Sequence, residues 1–93
     1  MGEALEGELR ELVEAIPRGW TSVVIDGRRW AVTRTIQAGG RTTSVKAERL
    51  DDSELVSANV WSTSAGYVLK PCEMPAEKVL GFLRKARTAY AAE

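Results

Sequence analysis

Residues 19–47, GWTSVVIDGRRWAVTRTIQAGGRTTSVKA, decide the fold. Two dipeptides, Asp26-Gly27 and Gly39-Gly40, punctuate a run rich in Val, Thr, Trp and Ile. Both pairs tolerate the positive φ angles of tight hairpins, so each marks a reversal between antiparallel strands. Strand side chains alternate between faces, so a reversal centred on each pair states which residues share a side. The first reversal places Val23 across from Trp30 and Ile25 across from Arg28. The second places Val32 across from Ala47 and Arg34 across from Val45.

The same reading extends outward. A turn at Asp51-Asp52 sets Ala47 against Val56, Val45 against Ala58 and Arg49 against Glu54. A further turn near Ser64-Ala65, inside the small-residue run Ser62 to Gly66, sets Val60 against Leu69. Chained together, the four reversals predict one face made of Val23, Ile25, Trp30, Val32, Ile36, Val45, Ala47, Val56, Ala58, Val60 and Leu69, interrupted by Arg28, Arg34 and Thr43. Each turn is chosen on its own residues, so their agreement on an apolar face is a consistency between levels expected of a foldable sequence.

Amphipathic helices flank the strands. Leu5, Leu9, Leu12, Val13 and Ile16 form a helical stripe that predicts a helix over about Glu3 to Ile16, ended by Pro17 and Gly19. Val79, Leu80, Phe82, Leu83, Ala86 and Tyr90 predict a second over about Pro75 to Ala91, with Pro75 as first helical residue. Both stripes need an apolar surface, and the predicted sheet face supplies it. The expectation is an α+β fold of two layers, a five-stranded antiparallel β-meander with the N- and C-terminal helices on one face. Residues 1–93 form a single domain, because 93 residues support one small core.

The composition excludes much chemistry. With no histidine and a single cysteine, Cys72, the chain cannot supply a Ser-His-Asp triad, a Cys-His dyad, a zinc-finger ligand set or an internal disulfide. No phosphate-binding glycine loop is present, and Asp51-Asp52 sits where a turn favours aspartate. The reading is therefore non-enzymatic, with no cofactor and no metal. Met1 to Leu12 carry five charged side chains where a signal peptide needs an apolar run, no apolar stretch is long enough to span a bilayer, and a lone thiol fits a reducing compartment, so the expected location is cytoplasmic. Cys72, after Pro71, reads as a small buried hydrophobe.

Net charge is zero, but unevenly spread. Residues 1–17 hold five Glu against Arg10, whereas residues 18–50 hold seven basic side chains against Asp26 and Glu48. The run Arg84, Lys85 and Arg87 reads as a solvated helix face.

The sheet face left open by the helices carries Trp20, Ser22, Val24, Arg29, Ala31, Thr33, Thr35, Thr42, Ser44, Lys46, Leu55, Ser57, Asn59, Trp61, Val68 and Lys70. Tryptophans, hydroxyls, an amide and cations together stack on flat rings and neutralise phosphates, which is the chemistry of single-strand binding. The candidate binding residues are Trp20 and Trp61 for stacking, Arg29, Lys46 and Lys70 for phosphates, and Ser44, Ser57 and Asn59 for hydrogen bonds. Arg41 and Arg49 extend the cationic rim. Trp20, beside the Pro17-Gly19 break, reads equally as a lid on the edge of the core. The same face also reads as a homodimer seam or a protein-partner site, since contiguous apolar surface on a small domain usually contacts something.

The element order and the basic, aromatic sheet face resemble the ThermoDBP group of archaeal single-stranded DNA-binding proteins. The stretch Gly66-Tyr67-Val68-Leu69-Lys70-Pro71-Cys72 with Met74-Pro75 is similar to a strand-to-helix junction of that kind. The resemblance implies binding of single-stranded DNA, or RNA, on the sheet without base-specific readout.

Overall fold

Asp26 and Gly27 both take positive φ, 53° and 76°, the conformation of the two-residue turn whose twist matches that of paired strands. From that turn the chain builds a single five-stranded antiparallel sheet, with strands in sequence order and a helix at each end. The structure, a computed structural model, describes residues 2–51, 54–64 and 66–92, with backbone only for residues 2–6 and Ala38. The elements are α1 (Gly2–Glu14), β1 (Gly19–Ile25), β2 (Arg28–Gln37), β3 (Thr42–Arg49), β4 (Leu55–Thr63), β5 (Gly66–Pro71) and α2 (Ala76–Ala91).

Every strand register expected from the turns is present. Val23 pairs with Trp30, Val32 with Ala47, Arg34 with Val45, Val45 with Ala58, Ala47 with Val56 and Val60 with Leu69. Arg49 N–H donates to Glu54 O at 3.1 Å, which continues the β3–β4 pairing to its turn. The second reversal is centred as expected but is wider. Residues 38–41 separate the paired Gln37 and Thr42, with Gly39 and Gly40 at φ of 66° and 94°. The Leu5 side chain, Asp52 of the third turn and Ala65 of the fourth lie outside the described residues.

The predicted apolar face is the core. Val23, Ile25, Trp30, Val32, Val45, Ala47, Val56, Ala58 and Val60 are buried on it, and Leu69 packs against it half-buried. Leu9, Leu12, Val13 and Ile16 of the α1 segment close it on one side, and Val79, Leu80, Phe82, Leu83 and Ala86 of α2 on the other. α1 lies against β5 and α2 crosses from β4 and β5 to β1, so both helices occupy one layer. The Trp30 and Phe82 rings meet at 4.9 Å with a tilt of 49°. Pro75 sits one position before its expected place. Its φ of −63° is helix-compatible but its ψ of 143° is extended, so it precedes the helix and its carbonyl accepts from Lys78 N–H.

Two of the three polar interruptions of this face have structural roles. Arg34 Nη1 donates to Ile16 O at 2.7 Å, at the end of the α1 segment where carbonyls have no helical partner. Burial of Arg34, with Arg18 nearby, lowers its pKa. Arg28 stands at the exposed end of β2 and reaches Asp51 at 3.3 Å.

Part of the N-terminal acidic charge is answered within the helical layer. Arg84 bonds Glu8 through both carboxylate oxygens at 2.8 and 2.9 Å, and Arg87 approaches Glu11 at 3.5 Å. The Arg84 guanidinium holds the Glu8 carboxyl below its ordinary pKa. Glu8 and Glu11 of the acidic N-terminal segment are thus answered by Arg84 and Arg87 of the basic run, while Lys85 of that run turns to Asp26. No helix among the described residues is long and apolar enough to cross a membrane.

Trp30→Ala is expected to lower the unfolding free energy by about 3–5 kcal/mol, read from urea denaturation, because it removes the largest side chain at the contact between sheet and α2. A loss below about 1 kcal/mol would mean that Trp30 is not a core residue.

Candidate nucleic-acid interface

Because side chains alternate, the register that buries one face also orders the other. Reading across the sheet, one row runs Trp20, Thr33, Lys46, Ser57. The next row toward the Gly39-Gly40 end runs Thr35, Ser44, Asn59, Lys70, and beyond it Gln37, Thr42, Trp61, Val68. In the opposite direction lie Ser22, Ala31, Glu48, Leu55 and then Val24 with Arg29. All eight candidate residues therefore stand on the uncovered face.

Their arrangement is ordered. Trp20 is 65% exposed at one edge strand and Trp61 is 44% exposed three strands away, so both indoles are available and Trp20 does not close the core. Strand spacing and rise put them about 20 Å apart, with room for intervening groups between them. Arg29, Lys46 and Lys70 all fall on the same side of the line joining the two indoles, as the register shows. Among the described residues no carboxylate lies within ion-pair distance of Lys46 or Lys70. Arg29 Nη1 donates to Ser22 Oγ at 2.9 Å, which holds the guanidinium against β1.

Between the tryptophans the surface is polar. Ser44 Oγ donates to Asn59 Oδ1 at 2.7 Å, so the Asn59 amide nitrogen is turned to donate elsewhere. Thr33, Thr35 and Ser57 complete this centre. The exposed apolar side chains Trp20, Val24, Leu50, Leu55, Trp61 and Val68 surround it.

Four assignments change. Thr42 stands in the outer row beside Trp61, yet it is 5% exposed and its Oγ1 has no hydrogen-bond partner. Arg49 is not part of the cationic rim. It belongs to the helix-facing set and is bound to Asp51 at 3.0 Å. Cys72 is exposed rather than buried, because its N–H donates to Ser57 O and so carries the β5 alternation one step past Pro71, to the outer side. Glu48, which was not counted on this face, occupies it between Ala31 and Leu55 and offsets one cation. Parity along β3 was the signal that places it. Arg41 is exposed in the turn beside the Trp61 end.

A concavity of about 420 Å³ lies on the helix side, between α2 and the ends of β2 and β3. Trp30, Val56 and Phe82 form its apolar wall. Its cations are already engaged, Lys85 with Asp26 at 2.8 Å, Lys78 with Glu54 at 3.0 Å, and Arg28 and Arg49 with Asp51, so it presents no unpaired cation to an anionic ligand. Among the described residues no three His, Cys, Asp or Glu gather into a metal site.

No family model, curated protein or solved structure matches the chain.

Thr42→Val is expected to raise stability by about 1 kcal/mol, read as a shift in the urea midpoint, because it removes a buried hydroxyl that has no partner. A loss of stability would show that the hydroxyl is hydrogen-bonded in solution.

Proposed function

We propose that this domain is a non-catalytic binder of single-stranded nucleic acid, DNA or RNA, that uses the uncovered sheet face without reading base sequence. The observation that carries the reading is the layout of that face. Two exposed indoles define a line, and Arg29, Lys46 and Lys70 run along one side of it. A strand lying diagonally across the sheet sets its bases toward Trp20 and Trp61 and its phosphates toward the cations. Stacking of this kind serves any base, because every base has a π face. Ser44, Asn59 and Ser57 then supply hydrogen bonds between the two stacking points, over a site near the short end of known ones, about four nucleotides.

The face-to-face homodimer seam fits the same residues less well. Protein interfaces put an apolar core inside a polar rim. Here the order is reversed, with Thr33, Thr35, Ser44, Lys46 and Asn59 in the middle and the apolar side chains around them.

The test is a tryptophan-fluorescence titration with a short oligothymidine at low and moderate salt, with a duplex of equal length as control. The expected result is saturable quenching that weakens with salt and is poorly reproduced by the duplex. Trp61→Ala is expected to weaken binding about tenfold, the equivalent of about 1.4 kcal/mol of stacking, while leaving the unfolding transition in place. Lys46→Ala is expected to reduce the slope of log affinity against log salt by about one. No quenching at low salt would overturn the reading.

A further inference from the structure

Strand β1 is an open edge, and its backbone geometry is specific. The two-residue turn makes Ile25 and Arg28 a hydrogen-bonded pair, so down the ladder Val23 and Thr21 also bond to β2. The amides and carbonyls of Trp20, Ser22 and Val24 point the other way, toward the edge. Natural edges are usually blunted by charge or proline. β5, the other edge, carries Lys70 and Pro71. β1, Gly-Trp-Thr-Ser-Val-Val-Ile, has neither.

We propose that two copies of this chain pair antiparallel through β1, about a two-fold axis at Ser22, and join their sheets into one. In that register Ser22 exchanges both backbone bonds with Ser22 of the second copy, and Trp20 does so with Val24 on either side. These are the residues whose backbone groups face the edge. The side chains agree with the backbone. Trp20 and Val24, 65% and 46% exposed in the single chain, lie opposite one another across the seam. Arg18, just before the strand, falls opposite Asp26, just after it, and joins Lys85 at that carboxylate.

The neighbouring registers do not share this match. A two-fold axis at Val23 sets Trp20 against Asp26, and one at Thr21 sets Val24 against Arg18. Only the Ser22 register pairs apolar with apolar and opposite charges together. The helical layer permits the approach as well. A groove of about 500 Å³ runs beside the β1 edge, lined from the α2 segment by the small Thr88, Ala89 and Ala92 and by Arg84 and Lys85, whose charged ends are held by Glu8 and Asp26. The consequence is one continuous outer face with the tryptophans and cations of both copies on it. The seam is short, so association in the micromolar range or weaker follows.

Sedimentation of the free protein from about 10 μM to about 1 mM reads the assembly, with no nucleic acid present, so its outcome is separate from that of the binding reading. The expected result is a shift from the mass of one chain, 10.2 kDa, to twice that mass. Hydrogen exchange then locates the seam. The amides of Trp20, Ser22 and Val24 should slow at least tenfold at the high concentration, whereas those of β5 should not change. Ser22→Pro removes the central N–H at a position where β2 does not use it, and is expected to abolish the dimer. Ser22→Glu, which keeps a partner for Arg29 but opposes two carboxylates across the axis, should weaken association at least tenfold and serves if the proline variant does not fold. A chain that stays monomeric throughout would overturn the proposal. So would a dimer whose β1 amides exchange freely or that survives Ser22→Glu unchanged.

Discussion

Burial of one sheet face under two helices is the constraint on which the rest depends. Val32, Ala47, Ala58 and Val60 are nearly inaccessible, and each is held there by a strand register that also assigns its neighbours to the opposite side. A slip of one residue would expose the core set and bury Lys46, Asn59 and Trp61 instead. The outer face therefore owes its order to the stability of the inner one. Its tryptophans and cations need no fold-stabilising role to be held in place, which leaves them available for contact with something else.

Charge follows the same division into layers. Glu8 and Glu11 of α1 are answered by Arg84 and Arg87 of α2, and Glu14 by Arg10 of its own helix, so these carboxylates are neutralised within the helical layer. What remains on the sheet is a small excess of cations, against which Glu48 is the one carboxylate on the outer face of the strands among the described residues. A net charge of zero thus conceals a surface with two characters. Under the proposed reading a polyanion would meet only a few local contacts, and salt would act on the affinity through those contacts alone.

Most of the architecture was legible because turns and alternation are local signals. Asp26-Gly27 and the centre of Gly39-Gly40 could be placed from residue type, and the pairing of Val23 with Trp30 or Val45 with Ala58 then followed by counting. What escaped counting depended on packing or on the shape of a turn. Gly39 and Gly40 sit in a four-residue loop because the strands do not close to a two-residue turn there. Cys72 is outward because a hydrogen bond to Ser57 extends the strand past a proline. Thr42 is buried on the exposed side, which parity alone does not show. Arg34 interrupts the apolar face for a reason visible only once the end of the α1 segment is in place, where a carbonyl needs a donor. All eight candidate site residues fall on one face because their assignment rested on alternation; their diagonal order needed the strand pairings to be laid side by side.

The most direct measurement is an amide chemical-shift map of the labelled protein titrated with a short oligothymidine at low salt. Binding on the uncovered face predicts that the largest changes fall on Lys46, Asn59, Lys70 and the Trp61 amide and indole, while Leu80 and Phe82 of α2 stay still. Changes centred on Trp30, Phe82 and Lys85 around the helix-side concavity, or no changes at all, would contradict the account.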